Sequence, residues 1–203
     1  KNPHYFYPET DFAFLSPLKD NFEIIRDELL ELLHTENKWL ETFPAYVESE
    51  QTSSWEVFTF RFFSMNHPNN REKCPKTSAI ISSIPEIISC DYSRMKGLTK
   101  ILPHKGYTRM VLRGHLPLIV PKGELCGIQV GNKTRIHQEG EFILFDDSFE
   151  HHAWNESQEE RIVLMFDFPN PFWNYSAQEI SAFKIGNIDD PFLLSLATQE
   201  EWN

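Results

Sequence analysis

Two short stretches of this chain gather side chains that can do chemistry together: HKGYTRMVLRGH, residues 104–115, and FDDSFEHHAWNESQEER, residues 145–161. Each supplies a histidine able to hold a metal ion, His104 in the first and His151 in the second. Each then supplies cations able to hold an acid: Arg113 with His115, and later Arg161. Imidazole nitrogens suit iron and its neighbours, and a guanidinium fork grips a carboxylate through two parallel N–H bonds. The pairing points to metal chemistry that also consumes an acid, and a keto-diacid fits it best. Singly these residues say little, because a strand arginine is usually solvated or ion-paired and a lone histidine is seldom a ligand. Their order carries the inference: histidine, Arg-x-His, turn, histidine, arginine.

Such side chains must be set by strands if they are to converge. From Ser93 onward the pattern is one of short strands between turns, with strands expected at 107–116, 118–120, 126–131, 134–138, 141–145, 151–154 and 160–168. Pro117, Pro121-Lys122-Gly123, Gly131-Asn132, Glu139-Gly140 and Asp146-Asp147 separate them. Alternation puts Arg109, Val111, Arg113 and His115 on one face of the first, with Met110, Leu112 and Leu116 opposite. On the last, Arg161, Val163, Met165 and Asp167 oppose Ile162, Leu164, Phe166 and Phe168. If the polar faces turn inward, Arg113, His115 and Arg161 enter one cavity, where Asp167 is the sole evident counter-charge and a bound dicarboxylate would supply another.

Many short strands in sequence predict an antiparallel jelly roll, a double-stranded β-helix, in a mainly β protein with flanking helices. Residues 1–92 read as a helical and aromatic support region, 93–168 as the jelly-roll core, and 169–203 as a docking tail, all in one domain. Within the first part, 1–17 reads as an extended arm. Asp20 and Glu23 look like a capping box opening a helix from about Asp20 to His34, with Phe22, Ile25, Leu29, Leu32 and Leu33 at helical spacing. Trp55 to Phe63 reads as a strand, MNHPNNREKCP as a polar loop, and Thr77 to Ser83 as a short helix. The tail would dock through helical segments bearing Phe172, Trp173, Phe183, Phe192, Leu193 and Leu194.

At 203 residues the chain supports a core without staples. A formal net charge of -11 argues against nucleic acid or an anionic membrane as the main partner. No stretch is apolar for long enough to span a bilayer and no leader is visible, so the expected compartment is the cytoplasm. Cys74, Cys90 and Cys126 lack Cys-x-x-Cys spacing; Cys74 and Cys90 are far enough apart to bridge, but reduced core thiols are the expectation.

PHKGYTRMVLRGHLPLIVP and GEFILFDDSFEHHAWNESQEERIVLMFD resemble the catalytic core of the aspartyl/asparaginyl β-hydroxylases, from about Tyr92 to Asp167, with weaker echoes at WEVFTF and PKTSAIISSIPE. That resemblance implies an Fe(II)- and 2-oxoglutarate-dependent dioxygenase, using O2, with His104 and His151 as iron ligands. It implies that Arg161 and Ser93 hold the distal carboxylate of 2-oxoglutarate, that Arg113 and His115 steady its metal-binding end, and that Trp55 lines the substrate cleft. Where most relatives in the wider superfamily carry a third, carboxylate ligand, this chain has Gly106, and Asp146 and Asp147 are expected in turn or outer-sphere roles. The implied substrate is an Asp or Asn residue of a peptide or protein, hydroxylated at Cβ. A lipid acyl chain, a free amino acid, or a non-enzymatic pocket for a dicarboxylate or metal are the alternatives.

Overall fold

In the computed structural model, which describes residues 4–186, the first part of the chain alternates short strands and helices. These are β1 (Phe6–Tyr7), α1 (Ser16–Asp20), α2 (Phe22–Leu33), β2 (Leu40–Glu41), β3 (Val47–Glu48), β4 (Trp55–Phe62), β5 (Met65–Asn66), α3 (Pro68–Lys73) and α4 (Pro75–Ser82). Eight strands then follow: β6 (Ser89–Met95), β7 (Thr99–His104), β8 (Val111–Ile119), β9 (Cys126–Val130), β10 (Lys133–Ile136), β11 (Ile143–Phe145), β12 (His151–Asn155) and β13 (Arg161–Pro169). A last helix, α5 (Ala177–Gly186), closes the described residues.

Those eight strands cross between two antiparallel sheets. One sheet runs β1-β11-β8-β13-β6-β4-β2 with β5 on β4, and the other runs β10-β9-β12-β7-β3. Apart from the β9–β10 hairpin, closed by Gly131 (φ 56°) and Asn132, each strand from β7 to β13 changes sheet from its predecessor. That alternation is the double-stranded β-helix, so the fold is mainly β with flanking helices. The first 92 residues add β4 and β2 to one edge of the larger sheet and β1 to the other.

Side-chain alternation sorts the core into layers. Ile162, Leu164, Phe166 and Phe168 of β13, with Leu112, Leu116 and Leu118 of β8, face Leu18, Ile25, Leu29 and Ile81 of α1, α2 and α4. The opposite faces look between the sheets, where Trp55, Met95, Ile101, Ile128, Val130, Ile143, Phe145 and Ala153 form a second cluster. Burying such side chains contributes roughly 1.5–3 kcal/mol apiece. One sheet is thus braced by helices, and the space between the sheets holds an apolar cluster beside the buried polar residues.

Several expectations need correction. Pro117 does not divide a strand; β8 runs through it, because β13 shifts register between Ile162 and Val163, opposite the residue lacking an N–H. Strand β8 begins only at Val111, so Arg109 lies in the preceding turn, over the Trp173 ring at 5.5 Å. The strands β6 and β7, polar (SCDYSRM) and proline-bearing (TKILPH), are absent from the sequence reading. The helix expected from about Asp20 to His34 is α2, preceded by the short α1 and separated from it by Asn21, whose Nδ2 donates to the Pro17 carbonyl (2.8 Å); the expected capping box is absent, since Glu23 pairs with Arg26 and caps nothing. The polar loop contains α3, with Pro68 at its first turn and His67 Nδ1 accepting from the Asn70 N–H. In the tail, Ile180 packs against Phe62, Phe63, Ile88 and Val111, whereas Phe172, Trp173 and Phe183 are exposed. Phe192, Leu193 and Leu194 lie outside the described residues. All three cysteines are buried free thiols.

Candidate active site

His104 ends β7 and His151 begins β12, and the two are register partners across neighbouring strands of the smaller sheet. Directly opposed residues project from the same face, so the rings stand 4.3 Å apart between centroids, at 55°. That spacing lets one metal ion touch both, given metal–nitrogen bonds of about 2.1 Å. Each ring is oriented alike: His104 Nδ1 bonds the Leu102 carbonyl (2.8 Å) and His151 Nδ1 bonds the Phe149 carbonyl (2.9 Å). Nδ1 therefore carries the proton and Nε2 keeps its lone pair, the tautomer a metal ligand requires. Burial, then the neighbouring His104 ring, pulls His151 down to about 3; burial also lowers His104. Both are neutral donors at neutral pH. Tyr46, which sequence reasoning missed, stacks on His104 at 5.1 Å and 14°.

Among the described residues no group of three or more His, Cys, Asp or Glu is gathered as a metal site. Gly106 shows why a third protein ligand does not come from the β7–β8 turn. A Cβ there would meet the Asp147 carboxylate at 2.3 Å, and the Gly106 N–H already donates to the Asp147 carbonyl (2.7 Å). Asp147 thus occupies the room a larger residue would need. Its Oδ2 lies 3.3 Å from Arg113 Nη1, while Oδ1 is buried without a hydrogen bond. Burial raises this carboxyl to about 7, with the Arg113 charge opposing. Asp146 is a turn residue: its Oδ1 accepts from the Ser148 N–H (3.0 Å) and hydroxyl (2.6 Å).

The two arginines of the sequence reading differ. Arg113 of β8 is met across the sheet by Asp167 of β13, Nε to Oδ1 at 2.8 Å and Nη2 to Oδ2 at 3.0 Å. Burial alone would lower its pKa; Asp167 and then Asp147 more than offset that and raise it well above the usual value. Arg161, at the start of β13, is only 2% exposed and makes no hydrogen bond or ion pair within the described protein, and its Nε is sealed from solvent. Burial lowers it to about 10. Ser93, on the adjacent β6 and buried, accepts the Trp55 indole N–H (3.0 Å), which leaves its own hydroxyl proton available. Trp55 itself is a buried wall of the inter-sheet cluster, its ring 6.4 Å from His104.

His115, inward on β8 as expected, bonds through Nδ1 to Nε2 of His137 (3.1 Å), a residue just beyond β10 that the sequence reading passed over. Nothing local marks His137: it follows TRI in an ordinary strand end. An open cleft of about 530 Å³ is lined by Lys105 and Phe149, chain neighbours of His104 and His151, with Gly106, Arg109, Asp146 and Trp173 among others, and by neither histidine itself.

Fold and site together define a double-stranded β-helix protein whose interior carries a matched histidine pair and a buried arginine without a counter-ion among the described residues. The chain belongs to the aspartyl/asparaginyl β-hydroxylase family, whose model matches residues 19–171. It is 30% identical to an ornithine lipid ester-linked acyl 2-hydroxylase from Rhizobium tropici, across 97% of this chain and 72% of that protein. It is 32% identical to the human aspartyl/asparaginyl beta-hydroxylase, across 80% of this chain but 22% of that much longer protein. A Pseudomonas putida prolyl-4-hydroxylase superposes with a TM-score of 0.49 at 11% identity, covering 73% of this chain and 87% of its own. That likeness is too loose to bear on chemistry. The family assignment makes this chain a hydroxylase-type enzyme.

Proposed function

We propose that this protein is an Fe(II)- and 2-oxoglutarate-dependent hydroxylase. The observation that carries the reading is Arg161: a guanidinium 2% exposed, with no anionic partner among the described residues and an orphaned Nε, on the larger sheet, while the smaller sheet bears two metal-ready imidazoles. A buried cation left alone costs several kcal/mol, so a site that keeps one is built for an anion that arrives later. In this reading His104 and His151 hold ferrous ion through Nε2. Arg161 grips the distal carboxylate of 2-oxoglutarate as a fork, helped by the Ser93 hydroxyl. His115 offers a donor to the metal-side carboxylate, and Arg113, tied to Asp167 and Asp147, contributes a fixed field there. The bound iron, with 2-oxoglutarate and O2, would supply the oxidising power to hydroxylate an unactivated C–H bond, leaving succinate and carbon dioxide. The chain's own part is orientation and exclusion of water: Trp55, Ile101 and Phe145 wall the interior, and no side chain need move a proton from the substrate.

The leading substrate is an Asp or Asn residue of a peptide or protein, entering by the open cleft where Lys105 and Arg109 can meet a carboxylate. A second reading, a lipid acyl chain, is favoured by Phe172, Trp173 and Tyr175, exposed on the rim of that region at 45%, 37% and 46%. Incubation with Fe(II), ascorbate and 2-oxoglutarate should give succinate above a no-enzyme control, and Arg161→Ala should abolish it. No succinate from the parent protein would refute the assignment and favour a binding protein. Mass spectrometry for a one-oxygen gain on Asp or Asn peptides, against lipids with a hydroxylatable acyl chain, decides the substrate.

A further inference from the structure

One charge in the interior has no task in the mechanism above. Asp91 lies on β6, two residues before Ser93 and therefore on the same inward face. Its register partners are Thr59 on β4 and Met165 on β13, and all three are half-buried, so solvent reaches the space between the sheets there. Asp167 follows Arg161 on β13 at roughly 20 Å along the strand. A five-carbon diacid fixed at Arg161 is too short to fill both ends. The end that bears Asp91 and Asp167 is left for the substrate.

That end is anionic. Three carboxylates, Asp91, Asp147 and Asp167, stand around one guanidinium, and Arg113 is already spent on Asp167 (2.8 and 3.0 Å) and Asp147 (3.3 Å). Asp91 has only the Thr59 hydroxyl, which donates to its Oδ1 (3.0 Å), and makes no ion pair among the described residues. A second observation points the same way: Asp147 is 1% exposed and its Oδ1 has no hydrogen-bond partner, an acceptor that the protein leaves unused. Tyr107, in the turn before β8, feels all four charges: burial first, then Asp167, Asp147 and Asp91 push its hydroxyl well above the usual value, with Arg113 opposing. Tyr107 also lines the open cleft, so the cleft and the acidic end share a wall. Burial raises the Asp91 carboxyl to about 7 against the Thr59 hydrogen bond, and Asp167 adds to the rise. A carboxylate is thus held where its charge is disfavoured and no cation is supplied. An arriving cation would relieve it, as an arriving anion would relieve Arg161.

We propose that Asp91 is a specificity-determining residue that receives an ammonium or guanidinium group carried by the substrate. Placing a substrate at this end rests on the hydroxylase reading above; the preference for a cation is a property of the pocket alone. In a peptide the group is the side chain of a Lys or Arg near the hydroxylated residue, and in a lipid it is a basic head group.

Two small probes test the pocket without turnover. Hexylammonium and hexanol share a chain and differ in charge. In NMR titrations of the protein as purified, followed at the Thr59 and Asp91 amides, hexylammonium should bind about tenfold more tightly than hexanol. Asp91→Asn, which keeps the shape and the Thr59 contact, should bring that ratio below about threefold, while Asp91→Glu, which keeps the charge, should retain most of it. Equal binding of the two probes by the parent, or an unchanged ratio in Asp91→Asn, overturns the proposal. With Fe(II), ascorbate and 2-oxoglutarate, peptides bearing Asn or Asp beside lysine are then compared with the same peptides bearing norleucine, and an amine-bearing lipid with its N-acetylated form. One charged member should exceed its neutral twin about tenfold in kcat/KM, and the pair that responds identifies the source of the cation. A preference in neither pair also overturns the proposal. A parent protein that makes no succinate would sink the hydroxylase reading instead, and the probe titration would still decide the role of Asp91.

Discussion

Arg113 and Arg161 sit on neighbouring strands of one sheet, both turned into the same interior, and they are treated in opposite ways. Arg113 is clamped by the Asp167 carboxylate through two hydrogen bonds and has Asp147 at 3.3 Å. Arg161 has nothing. The first is complete without any ligand; it ties β8 to β13 and anchors the turn that bears Asp147. The second lacks that compensation, and in the proposed reading an incoming anion supplies it. A buried ion pair mostly serves structure, and a buried unpaired cation mostly serves binding.

The contrast can be broken experimentally. Arg113→Met should cost about 3–5 kcal/mol of stability, because it strands Asp167 and Asp147 without a counter-charge; urea unfolding measures it, and an unchanged midpoint would mean the clamp is idle. Arg161→Ala should leave the fold intact and lose at least about a hundredfold in 2-oxoglutarate affinity, on the order of 3 kcal/mol, by calorimetry. Near-parental binding in that variant would move the carboxylate pocket elsewhere.

A pH experiment sharpens the electrostatics of the same interior. His151 is held down to about 3 from 6.5, burial first and the His104 ring second. Between those values the unfolded chain takes a proton that the folded chain refuses. The stability His151 contributes is therefore complete above about 6.5 and declines as pH falls toward 3. Asp147, raised to about 7 by burial, has the opposite sign and favours the folded state as pH falls from 7. Comparing His151→Gln with the parent removes the Asp147 contribution: from pH 7.5 to pH 5 the variant should gain about 2 kcal/mol on the parent. No relative gain would mean that His151 is not held neutral by the fold. Smallest of all, Arg161→Met should raise the stability of the ligand-free protein by roughly 1 kcal/mol, since it removes an uncompensated buried charge; a clear loss would show that Arg161 has a structural partner after all.

The legible part of this protein was the part written in period and order. Alternation along 160–168 gave the two faces of β13 correctly, and the split of apolar residues toward the helices follows it. What failed was punctuation. Pro117 reads as a strand break because proline lacks an N–H, yet a register shift in the neighbouring strand accommodates it, and that shift is invisible in the residues around 117. The strands β6 and β7 were missed because their alternation is masked by polar residues whose burial only the assembled barrel justifies. Ser93 and His104 sit on those two strands; residue type and order marked His104 and the family resemblance marked Ser93, where periodicity did neither.

The sequence by itself determined a β-helix of short strands, two histidines and a set of cations in an order that suits metal and acid, because strand alternation and residue type are local properties. Only the tertiary structure decided which arginine is neutralised and that the His137 ring meets His115. It also decided that the Asp147 carboxylate takes the room a larger residue at Gly106 would need. Each of those depends on which residues of distant strands come face to face. Register and strand order set that, and no spacing along the chain encodes it.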